Sequence, residues 1–245
     1  MSTAQKNHRA DVTDEQRAQL ATSGFYITDV LFDDEEIAAM RKELLRIASA
    51  QKEANKAGGT FAYALHEHSA PCREFLRHPV FQSLCTQLLG PEVYQTWNQM
   101  IVKMPETGGN FAWHQDGYYG AFAPDGTPTD DRAAMSASET LTFWVALTDA
   151  TIDNGCLWAL PGRHAEGFLP HRWNEAGKEW VGTYSTEEEI PVELKAGQML
   201  VFTRLTPHRS GANITEEPRI GYQIGYAVEA GHYDRVPFLA DGRLV

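Results

Sequence analysis

The chain has 245 residues, 42% of them hydrophobic and 11% aromatic, enough for one sizeable core and within the range of a single all-β barrel domain. Its 33 acidic against 21 basic residues leave a formal charge of -12, which argues against a phosphate-tracking surface, so neither nucleic acid nor a membrane is an expected partner. Three cysteines, Cys72, Cys85 and Cys156, lack the pairing and close spacing of a disulfide framework or a structural zinc site, and no run approaches the ~20 apolar residues of a membrane span or an export signal, so a reducing cytoplasm is the expected compartment.

Thr13 with Gln16 makes a capping-box pattern that predicts a helix start. Phe25 to Leu31 has the β-branched and aromatic content of a strand. Asp33 or Asp34 then opens a segment with Ile37, Met40, Leu44 and Ile47 at helical spacing, ending before Gly58-Gly59. Phe61 and Tyr63 alternate on a candidate strand, and a short helix is predicted from Pro79 to Leu89, stopped by Gly90-Pro91. From Glu92 the texture changes to apolar, aromatic and β-branched runs at 93–104, 111–117, 139–149, 156–160, 188–194, 198–204 and 219–228. Many short strands in series predict a sandwich or barrel. The expected organisation is one domain over 1–245, mainly β with packed helices: a helical part at about 12–90 and a barrel at about 92–230. The polar segment from Tyr119 to Ser138 is expected to form a lid or binding loop.

His114-Gln115-Asp116 is the strongest chemical motif. On a strand, side chains alternate, so His114 and Asp116 would share a face while Gln115 points away. Alone the triplet is weak, because nine histidines make chance copies common: His232-Tyr233-Asp234 has the same spacing, and His164-Ala165-Glu166 follows an expected turn at Pro161-Gly162. His66 and His68 have no acidic partner at spacing two. What raises His114 and Asp116 is their company. His208 follows a strand-like run, Ser210 lies two residues on, and Arg219 comes eleven residues after His208. Two histidines and a carboxylate hold ferrous iron on one face and leave the opposite positions open for oxygen and an organic co-substrate. The planar fork of Arg219 suits a carboxylate remote from the metal, against the plainer reading of an exposed arginine paired with Glu216 or Glu217.

Three blocks in this order resemble the phytanoyl-CoA dioxygenase family of Fe(II)- and 2-oxoglutarate-dependent oxygenases: Trp113-His114-Gln115-Asp116, the stretch Asn154 to His164, and His208-Arg209-Ser210-Gly211 with Arg219. The match runs from about Val12 to Ala230. It implies a double-stranded β-helix, a cupin-like jelly roll, with N-terminal helices on one outer face. His114, Asp116 and His208 become the iron ligands, with Fe(II), 2-oxoglutarate and O2 as cofactors. Arg219 and Ser210 would hold the distal carboxylate of 2-oxoglutarate, Thr142 and Trp144 would line the same pocket, and Asn98 or Gln99 would supply an amide, the choice depending on register. Gln198, where relatives often carry aspartate, touches turn geometry only. Asp116 disfavours halogenation, which needs a small residue there.

The implied reaction is oxidation of a C–H bond of a small organic molecule, most simply hydroxylation, with release of succinate and CO2. For the substrate pocket the candidates are Tyr118, Phe61, Tyr63, Arg163 and Arg204, each also readable as structural; Trp158, Trp173 and Trp180 are expected to pack. A non-redox cupin-like metal-binding or sensor protein is the alternative, and Arg219 discriminates, since such a barrel needs no dicarboxylate anchor. A metal-dependent isomerase or hydrolase would want a further general base, for which His164 or His171 could be recruited.

Overall fold

Helix-capping chemistry sets the N-terminal part. The structure, a computed structural model, describes residues 10–54, 61–105, 109–130, 132, 140–228 and 236–245. Helix α1 (Asp14–Ser23) starts on the expected capping box, Thr13 accepting from the Gln16 amide and Gln16 from the Thr13 amide, and ends on left-handed Gly24. Strand β1 (Phe25–Ile27) is shorter than the expected strand. The Asp33 carboxylate accepts from the Glu35 and Glu36 amides to open α2 (Asp34–Ala54). The expected stop at Gly58-Gly59 lies outside the described residues. After β2 (Phe61–Tyr63) come α3 (Leu65–His68), α4 (Ala70–Leu76) and α5 (Pro79–Leu88), of which only the last carried a clear sequence signal.

The remaining elements are mainly strands: β3 (Val93–Lys103), β4 (Phe111–His114), α6 (Tyr118–Ala121), β5 (Thr140–Ala146), β6 (Leu157–Ala159), β7 (His171–Asn174), β8 (Glu179–Gly182), β9 (Ile190–Val192), β10 (Met199–Thr203), β11 (His208–Ser210), β12 (Arg219–Ala227), β13 (Val236–Ala240) and β14 (Arg243–Leu244). They form two facing antiparallel sheets. The larger runs β1-β10-β5-β12-β3-β13-β14, with β2 also on β3; the smaller runs β4-β11-β6-β9; β7 and β8 form a separate hairpin. This is the jelly roll that was expected. The sheet does not stop near residue 230, however, because β13 pairs with β3 and β14 with β13. The β7–β8 hairpin is also new, with Trp173 and Trp180 edge to face across it.

The helices cover one outer face of the larger sheet. Phe75 packs on Tyr222, and Phe81 on Phe143 and Tyr226, joining Leu44, Leu84, Met100 and Val102 in the main core. The opposite faces of these strands meet the smaller sheet through Trp144, Leu157, Ala159, Leu200 and Phe202. Truncating a ring such as Phe81, fully buried, costs about 3–5 kcal/mol. Gln198 fixes the turn before β10, accepting from the Lys195 amide and donating to the Thr28 carbonyl. Among the described residues no helix is long and apolar enough to cross a membrane.

Candidate metal centre and its cavity

His114 ends β4 and His208 begins β11, and the two are direct partners in the antiparallel register, with ring centroids 4.2 Å apart. Asp116 does not extend that strand. The chain turns after His114, held by Gly117 N–H donating to the Arg204 carbonyl, and this turn rather than strand alternation brings the carboxylate back to the histidines. Gln115 does point away: its amide group is a buried strut, donating to the Gly167 and Leu205 carbonyls and accepting from the Leu169 N–H. Asp116 Oδ1 lies 3.6 Å from His114 Nε2 and 3.7 Å from His208 Nε2. The three donor atoms all fall within 4.8 Å of one another, a metal-sized cluster.

Each histidine is oriented from behind. Nδ1 of His114 contacts the Ala112 carbonyl at 2.8 Å, and Nδ1 of His208 contacts the Thr206 carbonyl at 3.0 Å. Carbonyls only accept, so Nδ1 carries the proton and both Nε2 lone pairs face the cluster, as metal ligation requires. Asp116 Oδ2 accepts from Thr142 Oγ1 and Gln223 Nε2, each at 3.1 Å, leaving Oδ1 for a cation. Burial pushes His208 down to about 4, helped by the charge of His114. Burial opposes ionisation of Asp116, but His208, His114 and Arg204 outweigh it and hold the carboxyl well below its usual range. Burial opposes the charged form of His114, but Asp116 outweighs it and raises the His114 pKa, so a cation bound at the cluster takes the place of that proton. The donor set is two imidazole nitrogens and one carboxylate in a buried pocket, which fits a divalent transition metal.

The cluster opens into a cavity of about 470 Å³. At one end Arg219, 1% exposed, lies with its guanidinium carbon 5.2 Å from the Trp144 ring centroid. One nitrogen donates to the Gly155 carbonyl, but Nε and Nη1 have no partner among the described residues, and burial lowers its pKa to about 9. A buried cation with unmatched donors in a cavity calls for an anion. Ser210, Trp144 and Gln99 line the same cavity, as expected. Gln99 donates to Gln223, whose other end grips Asp116.

Four expectations fail or shift. Asn98 turns to the helical side, where it meets His66 and Tyr222, so register selects Gln99. Tyr118 does not line the cavity; the turn after His114 sends it against His171, Phe168 and Trp180, and Tyr119 takes the cavity wall instead. Arg163 is ion-paired with Glu166 and lies over Tyr184, away from the cavity. His171 has both nitrogens engaged, with the Leu169 carbonyl and the Gln115 N–H, and is not available as a base in the cavity. Of the other candidates, Arg204 lines the cavity, and Phe61 and Tyr63 sit on β2 opposite Ile101 and Gln99. The His232 triplet lies outside the described residues. Gln223 was missed, although counting by twos from Arg219 along β12 reaches it.

The family model for phytanoyl-CoA dioxygenase (PhyH) matches residues 20–221, most of the chain and both of its parts. The chain belongs to the phytanoyl-CoA dioxygenase family. Within it, the chain is 29% identical to a phytanoyl-CoA dioxygenase of Arabidopsis thaliana over 178 residues, covering 69% of this chain and 56% of that one. It is 27% identical to the ectoine dioxygenase of Nocardia farcinica over 237 residues, covering 85% and 76%. The chain spans about three fifths of the length of several curated relatives it matches. Among solved structures, EvdO2 from Micromonospora carbonacea superposes with a TM-score of 0.72 at 22% identity, covering 93% of this chain and 94% of that one, which shows the shared fold.

Proposed function

We propose that this protein is an Fe(II)- and 2-oxoglutarate-dependent dioxygenase that hydroxylates a C–H bond of a small organic molecule. The observation that carries this is one cavity holding both the His114, Asp116 and His208 cluster and the buried, incompletely partnered guanidinium of Arg219. His114 and His208 would hold iron through Nε2 and Asp116 through Oδ1. Arg219, with Ser210 beside it, would bind the distal carboxylate of 2-oxoglutarate, and Trp144 and Gln99 would wall the bound chain. Iron and 2-oxoglutarate together supply oxidation of the substrate by O2, releasing succinate and CO2. Thr142 and Gln223 hold Asp116 Oδ2 and so fix the rotation of the carboxylate, which would leave Oδ1 to take a metal. Positioning and exclusion of water are then the remaining tasks of the chain.

Several observations support the rest of the reading. The helical layer and the barrel share one core, which supports one functional unit over 1–245. Three buried free thiols support a reducing cytoplasm. The test is an anaerobic titration of metal-free protein with Fe(II) and 2-oxoglutarate, read by the weak visible charge-transfer absorption of the chelate. Tight metal binding without that absorption would replace this reading with a non-redox barrel.

A further inference from the structure

Strand β3 changes face in the middle. Its ladder with β12 shifts between Gly225 and Tyr226: Trp97 pairs with Gly225 and Gln95 with Tyr226, leaving Thr96 unopposed. Gln95, Asn98, Met100 and Val102 are buried on the helical side, while Thr96, Trp97, Gln99 and Ile101 line the cavity. A bulge of this kind re-aims side chains beside functional sites, and here it turns two adjacent residues inward where alternation allows one. The facing residue has no side chain, for good reason. A Cβ on Gly225 would collide with both Thr96 Oγ1 and Trp97 Nε1.

Both atoms thus admitted are excluded from solvent and have no hydrogen-bond partner among the described residues. An indole N–H can only donate, so whatever satisfies Trp97 must present an acceptor. Arg204, 7% exposed, lines the same end of the cavity, with its guanidinium carbon 5.9 Å from the Trp97 ring centroid.

Position separates this end from the co-substrate end. Arg219, Gly221, Gln223 and Gly225 share the cavity face of β12: Arg219 stands at the proposed co-substrate end, and the next three face in turn Trp144, Asp116 of the metal cluster, and the Thr96 and Trp97 pair. Arg219 and Gly225 are about 20 Å apart along the strand, with the metal cluster between them.

We propose that Thr96, Trp97 and Arg204 form a carboxylate subsite for the substrate, on the far side of the metal from Arg219. The substrate is then a small organic acid, anchored by its carboxylate so that a C–H bond faces the metal. This rests on the dioxygenase reading for the identity of the other end. An indole N–H, a hydroxyl and a guanidinium together offer donors to both carboxylate oxygens, and a primary amide would bring its own donors against them.

The experiment uses ¹⁵N-labelled protein with Zn(II) as a diamagnetic stand-in for iron and saturating 2-oxoglutarate. The probes are benzoate, hexanoate and N-acetylglycine against their primary amides. Trp97 is one of six tryptophans, and its indole resonance is assigned by its disappearance in Trp97→Phe. At least one acid should move that resonance downfield saturably, its amide binding about tenfold more weakly or worse. Arg204→Gln should weaken the acid at least about tenfold, and the isosteric Thr96→Val by a few-fold, which tests the subsite without removing volume. The proposal is overturned if no acid gives a saturable shift, if acid and amide bind alike, or if Arg204→Gln and Thr96→Val both bind as wild type. In the same spectra, a Trp144 indole that ignores 2-oxoglutarate would instead defeat the reading of the Arg219 end.

Discussion

The four long strands β3, β5, β10 and β12 carry five to eleven residues each, whereas those of the smaller sheet, β4, β11, β6 and β9, carry three or four. The long strands keep a period of two: Trp144 on β5 and Arg219 and Gln223 on β12 line the cavity, while Thr142, expected there too, stops short of it and reaches Asp116 instead. The short sheet presents its histidines singly, at strand ends, each steadied by a carbonyl two residues earlier. A metal needs only three atoms at one point, which strand ends and a turn supply. An extended co-substrate needs a wall, which takes rows. The division predicts that damage to the short sheet abolishes metal chemistry outright, while damage to the long sheet grades co-substrate binding.

The sharpest way to break the comparison is His208→Ala. It should reduce succinate formation to background and remove tight Fe(II) binding while the far-ultraviolet circular dichroism stays that of the wild type. Undiminished succinate release would take His208 out of the site. Next comes Arg219→Ala, which should raise the 2-oxoglutarate concentration for half-saturation by about a hundredfold while Fe(II) still binds, since it removes a buried charged partner from one end only. Equal affinity for 2-oxoglutarate in variant and wild type would defeat that assignment.

Thr142→Val and Gln223→Leu sharpen the comparison, because they reach from the long sheet to the metal. Both side chains donate to Asp116 Oδ2, so each change should cost about tenfold to a hundredfold in metal affinity or turnover. Because they grip one oxygen, the double variant should lose less than the product of the two. Isothermal titration with Fe(II) under anaerobic conditions gives both numbers. Strict additivity would mean that the two bonds orient the carboxylate independently.

The same division explains what the sequence disclosed. The runs that became β3, β5, β10 and β12 were readable almost to the residue, because strands buried on both faces, as β5, β10 and β12 are, read as near-continuous apolar stretches bounded by turn residues. The Asn98 or Gln99 ambiguity was legible as an ambiguity, and resolving it required the bulge at Thr96, which no residue type announces. Tyr118 was misplaced for a related reason: parity was extended through Gln115 and Asp116, where the chain has already left the strand. Gly225 reads as an unremarkable glycine until its neighbours Thr96 and Trp97 are known. The β7–β8 hairpin escaped notice because Trp173 and Trp180 sit among Asn, Glu, Gly and Lys, so its strands show little apolar alternation. The iron-type cluster itself was legible from three short blocks, though the turn that delivers Asp116 was not.

The smallest expected effect concerns Lys103, which pairs with Arg219 across β3 and β12, so two buried cations face each other at the co-substrate end. Its Nζ donates to the Gly109 and Gly211 carbonyls and lies 4.8 Å from the Phe111 ring centroid. Burial, then the charge of Arg219, pushes its pKa down from 10.5 to about 7. Between those values the unfolded chain holds a proton that the folded protein releases, so stability from this residue is fullest above the unfolded pKa and is lost as pH falls toward 7. The midpoint of urea unfolding should therefore rise from pH 7 to pH 9 in the wild type and rise less in Lys103→Met. An identical rise in both would place the titrating group elsewhere. If 2-oxoglutarate binds Arg219 as proposed, saturating it would add negative charge there, relieve the repulsion and raise the Lys103 pKa in the folded state. The rise between pH 7 and pH 9 should then shrink in the wild type and not in Lys103→Met, tying the pH dependence to the co-substrate end of the long sheet.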